Sequence, residues 1–98
     1  IIKLHYLFTV KNKALNQEAL FRQRELKNQY KIEIAHVARL RKHIKTCLDK
    51  NDYGTKEILD TILEETEESV DWIETQFNRI KDIGIQNYLA ENMSKDNN

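Results

Sequence analysis

The chain contains no proline, and only two of its 98 residues are glycines, Gly54 and Gly84. Proline and glycine interrupt helices more effectively than any other residues. A chain almost free of both is therefore committed to long helices wherever an apolar periodicity supports them. That periodicity is present. Leu26, Tyr30, Glu33, Val37, Leu40, Ile44 and Cys47 step by four and three in alternation, the 3.5-residue period of helices packed at a shallow angle. Ile34 and Leu48 widen the stripe, while Arg24, Lys27, Lys31, Arg39, Lys42 and Lys45 form a solvated face. A first helix is expected over about 17–49.

The run Asp49-Lys50-Asn51-Asp52-Tyr53-Gly54 supplies turn residues and stops that helix. A second is expected from about Thr55 to Ile83, closed by Gly84, a residue favoured just past a C-terminus. Its stripe runs Ile58, Ile62, Thr66, Ser69, Ile73, Phe77 and Ile80, flanked by Leu59, Leu63, Val70 and Trp72. So short a link makes the two helices antiparallel neighbours. A tail helix follows from Ile85 to about Asn92. Residues 1–15 read as an apolar connecting segment, extended or ending a helix. Residues 16–92 are the helix pair and its tail helix, and 93–98 a polar tail. The expected fold is all-α: two long antiparallel helices plus a short C-terminal helix. Such a pair leaves an apolar edge uncovered, and a second pair, from a partner or by self-association, completes four helices.

Sixteen basic and sixteen acidic residues cancel, which removes the basic excess expected of a nucleic-acid binder. No apolar run approaches the eighteen or so residues of a membrane span. The single cysteine, Cys47, excludes an internal disulfide framework and a cysteine-built zinc site. With no secretory signal pattern, a reducing cytoplasmic address is the expectation, the mitochondrial matrix being the alternative.

Two features of the stripes point to chemistry. Glu33 interrupts the first seam, where a carboxylate needs a cation, a metal or a hydrogen-bonding neighbour unless it turns to the seam's edge. At the matching depth of the second helix stand the small hydroxyls Thr66 and Ser69, which can bond Glu33 or the preceding turn's carbonyl. The acids Glu64, Glu65, Glu67 and Glu68 read as a solvated face, with Glu65 nearest the stripe's edge. His5, His36 and His43 show no metal spacing on the second helix's core face, and Cys47 reads as a small buried hydrophobe.

The segment Ile62-Leu63-Glu64-Glu65-Thr66-Glu67-Glu68-Ser69-Val70-Asp71-Trp72-Ile73-Glu74-Thr75-Gln76 resembles the fourth bundle helix of bacterioferritin, which typically reads I-L-x-x-E-E-x-H-x-D-W-L-E-x-Q/E. Gly84-Ile85-Gln86-Asn87-Tyr88-Leu89 resembles that family's G-L-x-N-Y-L ending and its short fifth helix. Without gaps, Lys31-Ile32-Glu33-Ile34 falls on A-L-E-L of the third helix. The resemblance implies a ferritin-like half-bundle, the C-terminal half only, with residues 1–16 on the end of the second helix and the crossover. It places Glu33 on the bridging glutamate of the di-iron site, as a remnant ligand. Thr66 and Ser69 then occupy the lost Glu and His positions, and neither hydroxyl is a good iron ligand.

Two functions follow as expectations. One is a degenerate subunit with a structural, assembly role in a larger complex and no ferroxidase centre, a pseudoenzyme without a cofactor of its own. The alternative is an iron-storage cage subunit that relies on other subunits or on a missing N-terminal half for oxidation, iron being bound if that half is present. In both, the partner is a further copy or a chain supplying the other two helices, with no nucleic acid and no membrane span.

Overall fold

The computed structural model describes the backbone of residues 2–96 and the side chains of residues 16–92. Three helices follow one another, α1 (Ile2–Asp49), α2 (Tyr53–Ile83) and α3 (Ile85–Asp96), and the described residues include no strand. The fold is all-α, two long helices and a shorter C-terminal one. No helix among the described residues is long and apolar enough to cross a membrane.

Helix α1 begins at Ile2 rather than near Gln17, so the backbone of 2–15 is helical and not extended. The reason is the absence of any breaker: the aromatic and β-branched residues of that stretch weaken a helix only slightly when neither Pro nor Gly interrupts it. What that segment connects lies outside the described side chains. Likewise α3 continues to Asp96, beyond the expected end near Asn92.

The turn between α1 and α2 is closed by hydrogen bonds at every step. The Asn51 N–H donates to Leu48 O at 3.1 Å and the Asp52 N–H to Cys47 O at 2.8 Å, the paired bonds of a Schellman end. Asn51 takes the left-handed position with φ 57°, a conformation Asn tolerates better than most side chains. Asp52 then caps α2 at once, its Oδ1 accepting the Thr55 N–H at 3.1 Å. Gly54 therefore lies inside the first turn of α2 and contributes no special backbone angle.

The chain forms two compact units, Lys27–Gln76 in one and Ile1–Leu26 with Phe77–Asn98 in the other. In the first, Val37, Leu40 and Cys47 of α1 and Thr66, Val70, Ile73 and Gln76 of α2 are buried. Tyr30 reaches Glu74, and Arg41 reaches Glu67. Low numbers on one helix face high numbers on the other, so the helices are antiparallel here. In the second unit Tyr88 and Leu89 of α3 bury against Ala19, with Ile80 and Ile85 alongside. Arg79 and Glu91 make an ion pair there. Gly84, at φ 84°, ends α2 by donating to Ile80 O at 2.9 Å, and its own carbonyl accepts the Tyr88 N–H at 3.0 Å.

The α1 seam from Leu26 to Cys47 is buried or half-buried as its spacing predicts, but Ile34 and Leu48, expected to widen it, are exposed. The α2 stripe is turned from the expected one: Ser69 and Ile58 are exposed, and Val70, expected at the flank, is buried. The apolar stripe of α2 is broader than one neighbouring helix covers. The contact selects the edge carrying Val70, whose apolar β-branched side chain gains by burial, and it accommodates the buried Thr66 because that hydroxyl is bonded to Ile62 O.

Candidate functional site

In the Lys27–Gln76 unit an open groove runs beside the seam, lined by Gln29, Glu33, Ser69, Trp72 and Ile73. Glu33 is half-buried, held in the groove by the step from Tyr30 to Val37 along α1. Its partner is Gln29, one turn earlier, whose Nε2 donates to Glu33 Oε1 at 2.7 Å. The carboxylate thus has a neutral donor on its own helix and an open side toward solvent. The relevant sequence signal is the i, i+4 spacing of Gln and Glu, which the reading of the stripes missed.

The hydroxyls of Thr66 and Ser69 are both turned back into α2. Thr66 is buried, and its Oγ1 donates to Ile62 O at 2.7 Å. Ser69 is exposed and donates to Glu65 O at 3.2 Å. This is the local hydrogen-bonding mode that Ser and Thr adopt in mid-helix. Glu64, Glu65 and Glu68 are exposed, and Glu67 bonds Arg41 at 2.9 Å. The acidic run is a solvated face, with one member paired across the helices.

A second groove is lined by Ile34, Val37, Arg41, Glu67, Val70 and Asp71, and the Arg41–Glu67 pair spans it. Near the end of the unit the Tyr30 hydroxyl donates to Glu74 Oε1 at 3.0 Å. That bond to a carboxylate raises the phenol pKa above its usual value, with lesser contributions from desolvation and from the Glu74 charge. His36 is half-buried and His43 exposed, while His5 lies outside the described side chains. Cys47 is a buried free thiol.

Among the described residues no three His, Cys, Asp or Glu side chains come together as a group able to hold a metal ion. In the groove itself the oxygen donors are the Glu33 carboxylate and the Ser69 hydroxyl, which already bonds a main-chain carbonyl; Thr66 is not among the lining residues. These described side chains by themselves do not make up the carboxylate and imidazole set of a di-iron site.

A family model described as a ferritin-like domain matches residues 8–83. A curated relative, "Bacterial ferritin" of Synechocystis sp., is 38% identical over 66 residues, which is 66% of this chain and 41% of that protein. The chain therefore spans about two fifths of the length of the relative it matches. No solved structure matches the chain.

Proposed function

The chain belongs to the ferritin-like domain family, and from that premise we propose that it is a degenerate, bacterioferritin-like subunit whose role is to build an assembly rather than to oxidise iron. One observation carries this reading. Thr66 and Ser69, where the resemblance puts Glu and His, spend their hydroxyls on the carbonyls of Ile62 and Glu65. They bond within α2 and offer the groove no ligand. Glu33 is then a remnant, a carboxylate kept at the seam and supported by Gln29.

What remains in working order is packing surface: the seam of each long helix, the tail helix seated by Tyr88 and Leu89, and apolar side chains left outside both. An exposed apolar set of this kind fits a chain that lives in a complex. The partner is a further copy or a chain supplying two more helices.

The test is dioxygen-dependent Fe(II) oxidation by the purified protein in its native assembly, with metal analysis of the same sample. The expected rate is that of buffer alone, with no iron retained. Oxidation well above that rate which disappears in Glu33→Ala would overturn the proposal. It would establish instead an iron-storage subunit whose missing ligands come from other chains.

A further inference from the structure

The charge that cancels over the whole chain is separated by helix. Between residues 26 and 48 of α1 stand six lysines and arginines, and the only acid is Glu33. Arg41 is taken by Glu67 across the helices. The other five, Lys27, Lys31, Arg39, Lys42 and Lys45, are exposed, and none makes an ion pair among the described residues.

Their spacing puts them on one face. A helix turns about 100° per residue, so Lys27 and Lys45 share one line along α1. Lys31 and Lys42 stand within about 60° of that line, and Arg39 lies beside Lys42. All five are turned about 120° or more from Glu33. Helices packed on the Glu33 side therefore leave this face open. The row is unfavourable in isolation: Lys27 and Lys31 are four apart, and Lys42 stands three from both Arg39 and Lys45, spacings at which like charges repel. A bound anion relieves that repulsion.

The composition of the face selects among anions. It carries no aromatic side chain, and exposed Ala35 and Ala38 fill the gap between Lys31 and Arg39. It thus lacks the aromatic anchor common at the centre of protein interfaces and the apolar groups an interfacial helix inserts into lipid. A phosphodiester backbone needs only the cations. The Lys27–Lys31 pair and the Arg39–Lys42–Lys45 trio are centred about 20 Å apart along the axis. That separation reaches the two backbones flanking a major groove about 12 Å wide, and the alanines add no bulk between them.

We propose that this face of α1 binds duplex DNA through its phosphates, without reading sequence. The distribution of charge, rather than its sum, governs such binding, so the face replaces the expectation of no nucleic acid drawn from net charge. The proposal goes beyond the assembly reading and does not depend on it.

The experiment is fluorescence anisotropy of a labelled random-sequence DNA duplex with the purified protein in its native assembly, over a salt series. Binding is expected at low salt. The logarithm of the association constant should fall against that of salt concentration with a slope of about −4 to −5, as five phosphate contacts require. Lys31→Ala and Lys42→Ala should each flatten the slope by about one and weaken binding to every sequence alike. Lys81→Ala removes an exposed cation of α2 away from the row and should change neither. Far-UV circular dichroism checks that each variant remains helical.

Absence of binding at low salt overturns the proposal. So does binding that Lys81→Ala weakens as much as Lys31→Ala does, which would be general attraction without a site. Competition by poly-glutamate as strong as that by unlabelled duplex overturns it in favour of an acidic protein partner. Fe(II) oxidation by the same sample would remove the assembly reading and leave this one standing.

Discussion

Glu33 is a carboxylate in an otherwise apolar seam, and its surroundings decide what it contributes. Gln29 donates one hydrogen bond, and the groove leaves the rest of the carboxylate near water. Replacing it by Gln removes the charge but keeps an oxygen for Gln29. In metal-free protein Glu33→Gln is therefore expected to lie within about 1 kcal/mol of the parent, on the stabilising side. Glu33→Ala removes the bond, but the exposed Gln29 amide turns to water, so the cost should be about 0.5 kcal/mol or less. Chemical denaturation after dialysis against a chelator measures both, and a marked loss in Glu33→Gln would show that the charge itself supports the fold. At this scale the sequence was only partly legible. The conflict at Glu33 shows in the spacing of the seam. Its resolution by Gln29 depends on rotamers, and the choice between Ser69 and Val70 depends on which edge of a broad stripe the neighbouring helix takes.

At the scale of the elements, the helices are fixed by what stops them. The α1–α2 turn works because Asn51 accepts a positive φ and Asp52 caps immediately afterwards. Asn51→Ala should cost on the order of 1 kcal/mol, and Asn51→Gly should be neutral or slightly stabilising, since only the former meets the Cβ penalty of the left-handed region. Thermal melts of the two variants separate these outcomes. Asp52 adds a pH signature. Its hydrogen bonds from Thr55, side chain first and then main chain, hold its carboxyl below the usual value. The folded chain thus keeps Asp52 charged where the unfolded chain takes up a proton. The resulting stability is complete above the ordinary carboxylate range and is lost as the pH falls through the lowered folded pKa. Asp52→Ala should melt a few degrees below the parent at pH 7, and the difference should shrink progressively below about pH 4. A difference that persists unchanged in strong acid would assign the cap's effect to something other than the carboxylate. Turn residues were visible in the sequence at Asp49–Gly54. That Asn51 rather than Gly54 takes the unusual angle was not, because both residue types are compatible with it.

For the whole molecule, the two long helices and the tail were legible because no breaker competes with a sustained 3.5-residue period. The partner was not legible, because a seam records only that something packs against it. The lost centre leaves a prediction within the chain itself. The Tyr30–Glu74 bond sets Glu33 near the level of Asp71, and Ser69 shares its groove. A carboxylate from two helices and Glu-x-x-His from the other two is the donor set of a di-metal carboxylate site. Thr66→Glu with Ser69→His would restore the Glu-x-x-His pair that the bacterioferritin resemblance places on α2. The double variant should be less stable than the parent without metal, since it buries one more carboxylate. It should regain stability on adding Co(II), with visible absorption bands that weaken with Glu33→Ala. Co(II) bound equally well after Glu33→Ala would mean that the new residues ligate within α2 alone. No binding by a double variant that remains helical would place Glu33 too far from positions 66 and 69 to share an ion.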